Sequence, residues 1–266
     1  MVNKVVAKKI SIRFEQLGAE QFNSKLPELQ ELLRVRFPAH QIPIIESYNI
    51  DVRNPNSLQI DKNGASELYM VSADNSHSLQ IGNQGFDYST HRYVPYQEQK
   101  EMFIFVLEAI QRVMQVKFVG HLSMRNINLF ELNGDGVATD INTESPFNIS
   151  ENTGIESWTQ VGAATRRDFA MDNGLLGMSV NSSIAQQGQS YVPQPEWHSW
   201  QMADGVPAVM QKSLLLMILV AHNQKEIALH PRTNTLVDLD INDISEKLDH
   251  IRSLLNQTFD SITKES

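Results

Sequence analysis

Ile10, Ile12 and Phe14 alternate with Lys9, Ser11 and Arg13, the period-two pattern of a strand with one face on a core. After Gly18 the period changes. Phe22, Leu26, Leu29 and Leu33 recur at helical spacing as far as Phe37-Pro38, where the proline stops a helix. Pro27 falls inside that run and is expected to mark the true first turn, with Asn23 or Ser24 as its cap. Between residues 42 and 81, short strand-like runs are separated by Asn54-Pro55-Asn56, Lys62-Asn63-Gly64, Asp74-Asn75-Ser76 and Gly82-Asn83, turn chemistry that predicts an antiparallel meander. Met102, Phe103, Val106, Leu107, Ile110, Val113 and Met114 then form the clearest helical stripe, wide enough for an element lying on a sheet. A long alternating stretch over residues 117–132 follows, closed by the turn signal Asn133-Gly134-Asp135-Gly136.

Residues 140–158 are polar, with Pro146, Asn152 and Gly154, and read as a connection to a second half. There, strand patterns over 159–169 and 175–183 flank Asp172-Asn173-Gly174, which is hairpin chemistry. After a loop over 186–200, strand patterns at 214–222 and 235–241 precede a helix carried by Ile244, Leu248, Ile251, Leu255 and Phe259. Each half therefore reads as a meander followed by an amphipathic helix. The expected fold is α+β: two related lobes of antiparallel meander, residues 1–140 and 141–266, each covered by a helix and sharing one core or a continuous sheet.

Composition narrows the setting. With 41% hydrophobic and 20% charged residues, 266 residues can bury a substantial core. The most apolar run, 214–221, is too short for a bilayer that needs about 20 residues, so it reads as a buried strand or short buried helix. The first residues hold no long apolar stretch, and no signal peptide is expected. The absence of cysteine rules out disulfides, thiolate metal sites and thiol nucleophiles, and fits a cytoplasmic setting. A formal charge of -9, from 31 acidic and 22 basic residues, has the wrong sign for a phosphate backbone, so neither nucleic acid nor membrane is an expected partner. Lys4, Lys8, Lys9 and Arg13 are the densest basic run. Interleaved with Val5, Val6, Ile10 and Ile12, they read as an edge strand whose lysines oppose aggregation.

Candidate chemistry is sparse. Asp238, Asp240 and Asp243 lie within six residues, enough to raise the question of a divalent cation. Asp238 and Asp240 share a strand face, whereas Asp243, three residues before Glu246, reads as the cap of the last helix. Asn133-Gly134-Asp135-Gly136 has no preceding Asp-x-Asp and no closing glutamate, and so is a turn. The eight histidines include no zinc-protease spacing, and Gly177-Met178-Ser179-Val180-Asn181 lacks the second glycine of a nucleophile elbow. Phosphate-cradling glycine patterns are missing too, so no cofactor is implied. Arg125 and Asn128 on the long middle strand are the best candidates for a ligand or partner surface. An arginine among Val119, Ile127 and Leu129 needs a partner if buried, with Asp238 or Asp240 as the protein-internal option. Tyr191, Trp197 and Trp200 stand in a proline-rich loop, either as anchors for a protein partner or as a lid folded on the core.

The order of several short elements resembles a sporadically distributed family of uncharacterised bacterial proteins of about this length. The elements are the opening strand and helix ending near Phe37-Pro38, Tyr96 ahead of the central helix, the strand segment Arg125-Asn126-Ile127-Asn128, the Asp238 and Asp240 strand, and a closing helix with Phe259, Ile262 and Thr263. This chain has Asn126 where the family has an aromatic residue, and Gln99 where it has a tryptophan. The resemblance implies a shared fold and carries no activity. Patchy occurrence of this kind is associated with mobile-element, defence or toxin-antitoxin loci.

Three functional readings follow. The first is a non-enzymatic cytoplasmic interaction or regulatory protein, motivated by the lack of a catalytic signature. The second is a small-molecule binding protein or enzyme with a pocket between sheet and helices near Arg125. The third is a metal-dependent enzyme using Asp238 and Asp240.

Overall fold

The computed structural model describes residues 5–42, 47–50, 58–61, 66–133, 136–149, 164–171, 175–192, 207–223 and 236–264. The first alternating run is strand β1 (Val5–Phe14), and Ile10, Ile12 and Phe14 are buried as its period requires. Helix α1 (Ala19–Leu33) buries Phe22, Leu26, Leu29 and Leu33. It starts directly after Gly18, so Pro27 lies inside it and not at its first turn. The buried stripe continues through the proline, and tertiary packing outweighs the local penalty. Two short strands, β2 (Ala39–Gln41) and β3 (Ser47–Ile50), follow; β3 pairs with β4 (Leu58–Asp61) in a separate hairpin.

Of the meander expected over residues 42–81, β5 (Leu68–Val71) and β6 (His77–Gly82) pair as expected; the β3–β4 hairpin stands apart, and the meander continues into β7 (Gly85–Thr90), beyond the expected range. Its first turn is stabilised by Asp74, whose carboxylate accepts from the Ser76 amide and from the Ser72 and Ser76 hydroxyls, while Asn75 takes φ 58°. Helix α2 (Tyr96–Met114) comes next and ends on Gln115 in the left-handed conformation. The long strand β8 (Phe118–Glu131) follows, then β9 (Ala164–Met171), β10 (Leu176–Ala185) and β11 (Ser213–Asn223). The run at 214–221 is thus a strand. Only β12 (Val237–Asp238) forms where a longer strand was expected, because helix α3 (Ile241–Ile262) already begins at Ile241.

The strands form one antiparallel sheet in the order β2-β5-β6-β7-β1-β8-β11-β10-β9, with β12 pairing the first residues of β8. β1 is therefore interior, hydrogen-bonded to β7 on one side and β8 on the other, and not the edge its lysines implied. The two halves of the chain meet along the β8–β11 ladder.

One face of the sheet carries Ile10 and Ile12, Phe86 and Tyr88, and Leu122 and Met124 in register across β1, β7 and β8, with Val220 of β11 beside Met124 and Ile218 one row on, beside Asn126. These apolar side chains form a single core cluster with the buried stripes of α1, α2 and α3. Phe103 of α2 packs on Phe86, ring centroids 4.9 Å apart. Full burial of each ring is worth about 1.5–3 kcal/mol. α3 runs along β8, from Leu239 N–H bonded to the Lys117 carbonyl at 2.7 Å to Phe259 stacked on Phe130 at 6.1 Å. The opposite face is mixed. Asp87 holds Lys9 at 2.8 Å and Arg13 at 2.9 Å, and a small cluster gathers Ala7, Ile127 and Val192, with Tyr191 packed against it.

A buried polar seam between the sheet and two helices

Along β1, β7 and β8 the helix-covered face is apolar for two register rows and then turns polar. Thr90, Lys8 and Asn126 form the next row, and His77 pairs with Thr90 at its flank. Lys8 has the same strand parity as Ile10 and Ile12, so its side chain enters the layer between sheet and helices, where it is 3% exposed. Its ammonium donates to the Val94 carbonyl at 2.9 Å and lies 4.9 Å from the centre of the Tyr93 ring. No carboxylate comes within ion-pair distance of it among the described residues. Burial, with a further push from the Arg252 charge, pulls its pKa down to about 8.

α2 brings a second polar group to this layer. Gln99 is on the same stripe as Phe103, one turn earlier, and is fully buried. Phe103 sits on Phe86, so one turn back along the helix lies toward the Thr90 end of β7. Next to Gln99, the Glu98 carboxylate lies 3.7 Å from His77 Nε2, and His77 Nδ1 lies 2.6 Å from the Tyr88 hydroxyl. Burial lowers the His77 pKa and raises that of Tyr88, so both are neutral near pH 7.

α3 closes the seam. Arg252 is half-buried, 5.7 Å from the Tyr96 ring centre, and burial lowers its pKa. Asp260 attracts it electrostatically, yet no carboxylate forms an ion pair with it among the described residues. The neighbouring Asp249 is already engaged, accepting from Lys100 at 2.7 Å and from the Tyr96 hydroxyl at 2.8 Å. Those bonds tie α2 to α3 at the rim.

The hydrogen-bond inventory here is incomplete. Thr90 Oγ1, both amide atoms of Gln99, and the Oδ1 atoms of Asn126 and Asn128 are buried without a partner, as is Ser182 Oγ on β10. Asn128 donates to the Leu216 carbonyl at 3.2 Å, and Leu216 lies between it and Ser182 in register. An unsatisfied buried polar group costs about 1–3 kcal/mol, so six such atoms concentrated on one face are expensive for a fold to maintain.

Of the residues anticipated from the sequence, Asn128 belongs to this seam and Arg125 does not. Three positions apart on a strand, they project from opposite faces; Arg125 lies on the far side, opposite Lys9 and Leu219. The expected pairing of Arg125 with Asp238 or Asp240 is not made. Asp238 stands beside Phe118, seven residues or about 23 Å along β8 from Arg125. Asp240, and not Asp243, caps α3, accepting from the Asn242 and Asp243 amides. Asp243 instead accepts from Lys247 at 2.6 Å. No group of three or more potential metal ligands occurs among the described residues. Trp197 and Trp200 lie outside the described residues, while Tyr191 and Val192 just before them fold onto Ile127.

Thr90, Ser182 and Arg252 were not singled out from the sequence; Lys8 entered only in the basic run read as an edge strand, and Gln99 only as the position where the resembling family has a tryptophan. A signal was present for the strand and α2 positions, since each is polar yet in phase with buried apolar neighbours. No helix of the described residues is long and apolar enough to cross a membrane. No family model matches the chain, and no curated protein matches it.

Proposed function

We propose that this chain is a binding protein that receives a small polar ligand in the seam between the sheet and helices α2 and α3. One observation carries the reading: buried side chains of three strands, β7, β8 and β10, and of helix α2 hold hydrogen-bonding atoms without partners in the layer on the helix-covered face of the sheet. A fold that keeps so many polar groups in its core sacrifices stability, and a ligand that satisfies them returns it. Tyr93, half exposed, stands over Lys8 at the surface of the seam. This places the small-molecule reading ahead of the other two and moves it from Arg125 to Lys8 and its neighbours.

A Gln99→Leu, Asn126→Leu double variant tests it against a thermal-shift screen of small polar metabolites. The expected result is a more stable free protein that no longer responds to the compound stabilising the parent. A destabilised variant that still binds with unchanged affinity overturns the reading.

The interaction-protein reading rests on a separate observation. Among the described residues β9 ends the sheet, and it displays Phe169, 43% exposed, beside Arg166 and Arg167. Such an edge accepts an added strand from a partner. Loss of a stoichiometric partner from the native host on Phe169→Arg supports this reading; an unchanged complex removes it.

A further inference from the structure

We propose that the ligand is recognised by an anionic group, a carboxylate or a phosphate, held between Lys8 and Arg252 at the start of α2. The inference deepens the binding reading and rests on it. Two cations approach the start of α2 from different layers, Lys8 from the sheet at 4.9 Å from the Tyr93 ring centre and Arg252 from α3 at 5.7 Å from the Tyr96 ring centre, and the Arg252 charge is felt at Lys8. Neither has an ion-pair partner among the described residues; of the nearby acids, Glu98 is beside His77, Asp249 is taken by Lys100 and Tyr96, and Asp260 attracts Arg252 without forming an ion pair with it. A lysine that is 3% exposed and bonded only to a carbonyl is an unneutralised charge in the core.

The first turn of α2 adds to the same polarity. Its cap position is Pro95, whose side chain offers no acceptor, so the leading amides of the helix have no side-chain oxygen bonded to them. Gln99, fully buried with both amide atoms unpartnered, follows in that turn and provides both a donor and an acceptor to whatever enters. Tyr93 and Tyr96 stand against the two cations, and their rings fit the apolar body of a ligand whose anionic end lies inward. Two positive charges, the amides of a helix start and an unsatisfied amide are gathered around residues 93–99, and together they have the chemistry of an oxyanion site.

The test is a thermal-shift titration with inorganic phosphate and with acetate, at ionic strength held constant by chloride. The parent protein is expected to gain stability with one or both oxyanions and none with chloride, the stronger of the two identifying the anion class. Lys8→Met should be more stable than the parent without oxyanion and show no response. Arg252→Gln should respond at least tenfold more weakly. Equal responses in parent, Lys8→Met and Arg252→Gln overturn the proposal, as does a Lys8→Met protein that is destabilised while keeping its oxyanion response. If the oxyanions do nothing but a neutral compound stabilises the parent and not the Gln99→Leu, Asn126→Leu variant, the anion proposal fails and the binding site stands. If neither class acts, both readings fall together.

Discussion

Moving the Lys8 ammonium from water into the layer between sheet and helix is unfavourable, and it sets a pH dependence with a definite sign. Its pKa falls from 10.5 to about 8 on folding, so between those values the unfolded chain binds more protons than the folded one. Stability therefore rises as pH increases through that window, and the full penalty, about 3 kcal/mol, applies below pH 8. Above pH 10 the buried Tyr88 and Tyr96, whose pKa values are raised by burial, pull the other way, so the clean interval is pH 8 to 10. Urea denaturation across that interval should show a rise for the parent that is missing in Lys8→Met. At pH 7 the variant should be more stable by on the order of 2 kcal/mol, the penalty less the lost hydrogen bond. Gly85 is the opposite case, a position where nothing but glycine fits. Its φ is 156°, and an added Cβ would lie 2.2 Å from the Ile12 carbonyl oxygen, so Gly85→Ala should cost about 2–4 kcal/mol by the same assay. At this scale the sequence was legible by exception. Lys8, Asn126, Asn128 and Ser182 each share strand parity with buried apolar residues, a contradiction visible in the pattern. Its resolution was not visible, because a lysine on an edge strand and a lysine in a sheet interior obey the same alternation.

The elements were legible wherever period and cap agreed. α2 and the β5–β6–β7 meander follow directly from their stripes and turns, since the residues that define them interact within a few positions along the chain. Pro27 shows where local reasoning stops. Propensity places it at a helix start, yet Phe22 and Leu26 before it and Leu29 and Leu33 after it all pack into the core, and that burial keeps the helix whole through a proline. Pro27→Ala restores a backbone donor and removes the ring from the i−4 carbonyl, so it should raise stability by about 1–3 kcal/mol, read as a higher denaturation midpoint with unchanged slope. The cap of α3 makes the complementary case. Asp240 accepts from two first-turn amides, and Asp240→Ala should lower stability by about 1 kcal/mol without releasing any metal. A loss of bound divalent ion on that substitution, measured by elemental analysis, would contradict the capping role. Reading Asp243 as the cap from the sequence was an error of one turn: both residues have a carboxylate ahead of an apolar run, and only the backbone entry into the helix separates them.

For the whole molecule, strand order is what no local pattern encodes. β1 lies between β7 and β8, strands that begin 80 or more residues later, and this non-local placement is what brings Lys8 beside Thr90 and Asn126 and under α3. The seam therefore draws on both halves of the chain: Lys8, Thr90, Gln99 and Asn126 from the first, Ser182 and Arg252 from the second. The halves are joined along the β8–β11 ladder, which pairs residues 121–131 with 213–223, by β12 on the start of β8, by Asp249 accepting from Lys100 and Tyr96, and at the far end of α3 by the Lys264 amide on the Asp140 carbonyl at 3.0 Å. A chain cut at residue 140 would lose β11 and α3 from β8, exposing Leu122, Met124 and Phe130 on one face and a full row of backbone groups along one edge. The fragment of residues 1–140 should accordingly show poor amide dispersion and bind a hydrophobic dye, while the intact protein unfolds in one transition with coincident far-ultraviolet and near-ultraviolet tyrosine signals. A well-dispersed, cooperatively unfolding fragment would mean that the first half is stable without α3. In that case Arg252 could be supplied or withdrawn by movement of the second half, and oxyanion binding at Lys8 would be coupled to that movement, a coupling measurable as a change in amide exchange across β11 and α3 when phosphate is added.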